Sequence, residues 1–282
     1  MSTVRKSLHL FACLASLSMG DIAIAGEAPP VAMVTDVKGL PALPLLSEIA
    51  KGTHVRLDSG ASASIVYLQS GQEYELSGPS EVEIGAEAPR ALKGKAPVKH
   101  GAALSRSREA VRIDPVKVTQ GALVMRGPAQ APQLRMDSLS DTTTLDARPR
   151  FEWTAAKPGL RYRIDLIDGA GKKIFLIPVE QSPALLPEDV SLLPDADYTW
   201  LLTAIGPGGE SYESAGDFKV ASDELRARVE GLRPAADASV SERVVFAAWL
   251  EQMHLRDEAR KVWKTIAAER KDEPRLQVLA GE

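Results

Sequence analysis

Gly52-Thr53-His54-Val55-Arg56-Leu57-Asp58-Ser59-Gly60-Ala61-Ser62-Ala63-Ser64-Ile65-Val66-Tyr67-Leu68-Gln69-Ser70-Gly71-Gln72-Glu73-Tyr74-Glu75-Leu76-Ser77-Gly78-Pro79 is a run of short apolar alternations cut by glycine and proline. Val55, Leu57, Ala61, Ala63, Ile65 and Tyr67 share one parity. Successive side chains of a strand point to opposite faces, so this set addresses one core. Glu73-Tyr74-Glu75-Leu76 resumes after the Gln69–Gln72 turn, and Glu81-Val82-Glu83-Ile84 follows Gly78-Pro79. Short strands between such punctuation predict an all-β unit over 26–92. Val66 and Leu68 break the parity, which predicts either a strand covered on both faces or a local bulge.

Outward from this unit, residues 93–145 are expected to be a β extension and linker. Lys93, Lys95, Lys99 and His100, then Arg106 and Arg108, concentrate positive charge. They read either as a solvated loop or as a basic patch for an acidic partner. Val111-Arg112-Ile113 and Leu123-Val124-Met125-Arg126-Gly127 are expected to be strands, and the polar run 138–144 a linker. A second β unit is predicted over 146–222. Tyr162, Ile164 and Leu166 alternate with charged residues, and Tyr198, Trp200, Leu202 and Ala204 share a parity. Trp153 and Trp200 suit the core between two facing sheets. Pro178 excludes a central ladder position for the strand that contains it.

From residue 223 the period changes from two to about 3.6. Ser239 and Glu242 form a capping box ahead of Val244, Val245, Ala248 and Trp249. Asp257 is expected to cap a second helix whose Ala259, Val262, Trp263 and Ile266 face inward, with Pro274 as its stop. A short helix is expected over 223–230. A helical hairpin of this size needs a further surface to cover its apolar faces. That surface is expected to be either the second β unit or a partner, with Trp249, Trp263 and Leu255 as candidate protein-contact residues. The fold class is mainly β: an N-terminal β domain, a central β-sandwich and a small C-terminal α-helical hairpin over 223–282.

Arg5 and Lys6, the apolar run from Leu8 to Met19 and the Ala23-Ile24-Ala25 pattern predict a cleavable signal peptide over 1–25. The only cysteine, Cys13, lies in that apolar run. Cleavage after Ala25 leaves no thiol for a disulfide, a nucleophile or a zinc site. Loss of Arg5, Lys6 and Asp21 with the leader moves the formal charge from -4 to -5. A mildly acidic chain lacks the basic field of a general nucleic-acid binder. No later apolar stretch is long enough to span a membrane.

The stretch quoted above, with Leu76-Ser77-Gly78-Pro79-Ser80 as its ending, resembles the FecR-type domain. That resemblance covers about a fifth to a quarter of the chain and implies a periplasmic β domain used for interaction. The signalling members carry a cytoplasmic helical region and an internal membrane span, neither of which is found here. Phe151-Glu152-Trp153, Tyr162–Leu166 and Ala196–Trp200 look like strands of a fibronectin type III-like sandwich. Leu255, Glu258, Ala259, Arg260 and Trp263 are similar to part of one tetratricopeptide-type repeat. A single repeat falls short of a self-standing solenoid.

Chemistry-bearing patterns are sparse. His54, His100 and His254 stand alone, with no H-E-x-x-H, no calcium loop and no G-x-S-x-G elbow. Glu81 and Glu83 project to one strand face, the arrangement that paired acid and base carboxylates need. An ordinary half-solvated strand reads the same way. Neither a cofactor nor a metal is implied, and no catalytic residue is singled out. These features point to a non-enzymatic periplasmic binding or scaffold protein contacting an envelope protein or a cell-wall polymer such as peptidoglycan or polysaccharide. An accessory of cell-surface signalling and a polysaccharide-active enzyme using Glu81 and Glu83 are the alternatives.

Overall fold

The computed structural model describes residues 29–102, 134–155 and 157–281. The expected leader, Cys13, Arg106, Arg108 and the strands expected at 111–113 and 123–127 lie outside the described residues. Seventeen strands precede four helices in this part of the chain.

The first β unit contains two antiparallel sheets. Strands β1 (Pro30–Lys38), β2 (Glu48–Ala50), β4 (Ser62–Tyr67), β5 (Gln72–Ser77) and β8 (Val98–Ala102) form one sheet in the order β2-β1-β4-β5-β8. Strands β3 (His54–Leu57), β6 (Ser80–Ile84) and β7 (Pro89–Gly94) form the other. Residue 92, the expected boundary, falls inside β7, and β8 continues the larger sheet. Val55, Leu57, Val82 and Ile84 join Val34, Ile65, Tyr67 and Leu76 in one core. Gly78 allows the tight crossing between the sheets, because a Cβ there would stand 1.8 Å from the Asp58 carbonyl oxygen.

The broken parity at Val66 has a clear cause. Ala32, Met33, Val34 and Thr35 of β1 are buried in succession, as are Ile65, Val66 and Tyr67 of β4. Both faces of this sheet are therefore covered. A register shift between Val34 and Asp36 adds a bulge at Thr35. Its hydroxyl donates to the Ser64 carbonyl at 3.2 Å and is hydrogen-bonded to Ser241 Oγ at 2.7 Å.

Ser241 belongs to the helices that cover the second face. They are α1 (Asp223–Leu232), α2 (Val240–Gln252), α3 (Arg256–Glu269) and α4 (Pro274–Ala280). Ser239 caps α2 by accepting from Glu242 N at 3.1 Å. Every residue from Val244 to Leu250 is buried, so the α2 interior is enclosed on all sides rather than along a stripe. The sheet containing β1 lies on one side of α2 and α3 on another, with the Arg228 guanidinium over the Trp249 ring. The helices and the first β unit share a single hydrophobic core. Pro274 is not the stop of α3, which ends at Glu269 with Arg270 as its C-cap; it opens α4 instead, in the first turn, where its missing N–H costs nothing.

The sandwich begins earlier than expected. Strands β9 (Leu134–Met136), β11 (Arg150–Phe151), β12 (Trp153–Ala155) and β15 (Ala184–Leu185) form one layer. There β12 pairs with β9 and β11 pairs with β15. The facing layer has the order β10-β17-β16-β13-β14. It is built from β10 (Thr142–Thr144), β13 (Arg161–Asp168), β14 (Lys173–Val179), β16 (Asp197–Ile205) and β17 (Ser211–Val220). Between the layers lie Phe151, Trp153, Ile164, Leu166, Trp200, Leu202 and Phe218. Pro178 lies on β14, an edge strand paired only with β13.

The run 138–144 is thus part of the sandwich and not a linker. Thr142–Thr144 pairs parallel to β17 and is buried. Its hydroxyl-bearing side chains look like loop composition, yet they are β-branched and suit a strand whose hydroxyls find acceptors.

Candidate binding site

The sandwich and the helices meet along β10 and the turn between α2 and α3. The His254 carbonyl accepts from Thr143 N at 2.7 Å and from Thr142 Oγ1 at 3.2 Å. Arg226 of α1 donates to the Leu145 carbonyl at 2.8 Å. Asp257 does not cap α3: the N-cap position is Leu255, with no side-chain cap. Its Oδ2 instead accepts from Leu139 N at 2.8 Å, and its Oδ1 from Arg260 Nη1 at 3.0 Å. Tertiary pairing to the sandwich has displaced the local cap.

A groove of about 600 Å³ opens beside this joint. Arg135, Asp137, Arg150 and Glu152, on or beside the strands of the β9, β11, β12 and β15 layer, make one wall. Asp257, Glu258, Arg260, Lys261 and Lys264 of α3 make the other, with Ala280 and Gly281 at one end. Cationic and anionic side chains are interleaved, but their free hydrogen-bonding capacity is unequal. Asp137 Oδ1 accepts from Arg135 Nε at 2.7 Å and its Oδ2 from Thr154 Oγ1 at 2.6 Å. Both Asp257 oxygens are occupied as described above, and Glu258 Oε1 accepts from Lys261 at 2.6 Å. Arg260 donates through Nη1 alone, to the Asp137 carbonyl and to Asp257, and Arg135 through Nε alone. Lys264 has no ion-pair partner among the described residues. The groove therefore presents unused donors of Arg135, Arg260 and Lys264 beside the unused acceptors of Glu152 and Glu258, a mixed set that suits carbonyl, hydroxyl or sugar groups.

The residues singled out from sequence lie elsewhere. Trp249, Trp263 and Leu255 are at most 2% exposed, inside the core shared with the first β unit. They are corrected from contact residues to core residues, because the sheet containing β1 takes the apolar surface that a partner was expected to cover. Lys93, Lys95 and Lys99 are exposed near the β7–β8 turn, and Lys93 stands 3.6 Å from Glu81.

Glu81 and Glu83 lie on the outward face of the three-stranded sheet, between His54 and Arg56 on β3 and Arg90 and Lys93 on β7. The hydrogen bond from Arg90, at 2.6 Å, and its positive charge hold Glu83 below the usual carboxylate range. A glycosidase acid needs the opposite shift and a cleft. This ladder of opposite charges on an open face is a structural pairing.

Among the described residues, no group of three or more His, Cys, Asp or Glu side chains could hold a metal ion. No described helix is long and apolar enough to cross a membrane. Sequence reasoning missed the groove because its walls come from segments more than a hundred residues apart. One signal was available: three consecutive β-branched residues, Thr142-Thr143-Thr144, inside the supposed linker.

No protein-family model matches the chain, the FecR-type and tetratricopeptide-type resemblances included, and no curated protein matches it. Among solved structures the chain is similar to the fn3 domain of human collagen alpha-1(XX) chain. The two are 18% identical over 40% of this chain and 94% of that one, with a TM-score of 0.26. It is also similar to CopC from Methylosinus trichosporium OB3b, at 18% identity over 32% of this chain and 95% of that one, with a TM-score of 0.24. The architecture is a mainly β, multi-sheet chain with a small C-terminal helical bundle.

Proposed function

We propose that this chain is an exported, non-enzymatic binding or scaffold protein of the periplasm. In this reading a FecR-like unit and its helices form one body, and the type III-like sandwich forms the second. The observation that carries it is the groove between them, where Asp137 and Asp257 are internally paired through both oxygens while Arg135, Arg260 and Lys264 keep donors free. Such a surface suits an oxygen-rich partner, either a cell-wall polymer or an acidic segment of an envelope protein. The charged leader, apolar run and A-x-A pattern support export. The paired, outward-facing Glu81 and Glu83 argue against the polysaccharide-active alternative.

The test is co-sedimentation of the purified 26–282 chain with isolated cell-wall sacculi, in parallel with crosslinking capture from intact envelopes. The wild type is compared with Arg135→Ala combined with Lys264→Ala. Both side chains are exposed, so the fold is retained. Retention on sacculi or on one discrete partner should fall about tenfold in the variant, the loss expected from two charge-assisted contacts. Wild type and variant retained equally would remove the groove from consideration.

A further inference from the structure

The β10-β17-β16-β13-β14 sheet buries one face in the sandwich core. The other is bordered at its β10 edge by the α2–α3 turn, whose His254 lines a pocket with Thr199, Asp217 and Lys219. Along β13, β16 and β17 the outward parity includes Arg161, Arg163 and Asp165, Leu201, and Glu213, Ala215, Asp217 and Lys219. On β14 it belongs to Leu176, which is 52% exposed. Arg163 and Lys173 thus stand on the β13–β14 half over Asp165, and Glu213 and Asp217 on the β17 half, whose Lys219 is paired with Asp195 at 2.7 Å.

The basic half is held in place from below. Asp165 is 3% exposed, with Oδ2 at 3.1 Å from Lys173 Nζ and 3.4 Å from Arg163 Nε. Both long side chains therefore lie over the sheet and present their stems beside Leu176.

This face complements itself. A two-fold axis parallel to the strands lays β14 of one copy over β17 of the other, and β13 over β16. Residues in one cross-strand row stay in that row. The exposed Leu176 then faces the small Ala215, Lys173 faces Asp217, and Arg163 comes to the row of Glu213. Each contact occurs twice. A two-fold axis across the strands would set β14 against β14 and bring like charges together.

We propose that the chain self-associates as a symmetric dimer, through this outer sandwich face, in the first of these orientations. Four strands about 4.8 Å apart and five residues of about 3.3 Å give only about 300 Å² of flat contact. That is well below the roughly 800 Å² per partner of a standard interface. The dimer is accordingly weak, with a dissociation constant on the order of 10–100 μM, and salt-sensitive.

Sedimentation equilibrium of the 26–282 chain from about 1 to 300 μM, at low and at high salt, tests this range of affinities. The mass should rise towards two chains with concentration, and less so in high salt. Leu176→Asp, at an exposed position, should weaken association at least about tenfold. Glu213→Lys with Asp217→Lys sets cations on both halves of the face, and this double variant should be monomeric. A wild-type monomer throughout the range would overturn the proposal, as would a dimer insensitive to Leu176→Asp and to the Glu213–Asp217 reversal.

Discussion

Met33→Ala in β1 tests whether the helices and the first β unit form one cooperative body. Met33 is fully buried two residues before Thr35, whose hydroxyl meets Ser241 of α2, and the buried Val66 lies opposite it. Truncation removes side-chain volume between the sheet and the helices. A buried Met→Ala change costs about 2–5 kcal/mol, the higher values applying where neighbours cannot collapse into the space. Here a paired strand limits collapse on one side and an enclosed helix on the other, so about 3 kcal/mol is expected. That is on the order of a hundredfold in the opening equilibrium. Amide hydrogen exchange read by mass spectrometry localises the effect. Peptides from β4 and from α2 and α3 should lose protection by the same factor, while β13 and β16, which belong to the separate sandwich core, should keep theirs. Loss in β4 with full protection retained in α2 and α3 would refute the shared core.

Two further outcomes follow from single side chains. Burial pushes the Glu73 carboxyl up, opposed in part by the Ser241 hydroxyl and His100. The folded chain therefore binds its proton more tightly than the unfolded chain, and stability from this group falls as pH rises from the ordinary carboxylate value through the raised one. Glu73→Gln should raise the urea midpoint at pH 7 relative to the wild type, with the advantage vanishing near pH 3; an equal advantage at both would contradict this sign. Gly216→Ala should destabilise the sandwich by about 1–3 kcal/mol, an overpacking cost. Its Cβ would stand 2.7 Å from the Leu139 carbonyl and 2.8 Å from Trp200 Nε1, two groups bonded to each other at 2.8 Å. An unchanged thermal midpoint would show that the strand can shift.

The strand alternations from Val55 to Ile84, the core positions of Trp153 and Trp200, the Ser239 cap and the hairpin of α2 and α3 were all legible in the sequence. Each depends on local periodicity or on a hydrogen bond spanning three residues, so the chain carries the information within a short window. Even the double coverage of β4 left a trace, in the parity broken at Val66. Where the helices dock was not legible, because Val244–Leu250 is apolar enough to serve equally against the sandwich, the first sheet or a partner. Tertiary packing decided it, through the Thr35–Ser241 bond and the pairing of Arg270 with Asp36 and the Val37 carbonyl at the other end of the helix pair. The same packing turned Trp249 and Trp263 from surface candidates into core and drew Asp257 away from its own helix to Leu139. The groove exists only after those choices, since its donors are separated in sequence and are left free by pairings that no local pattern encodes.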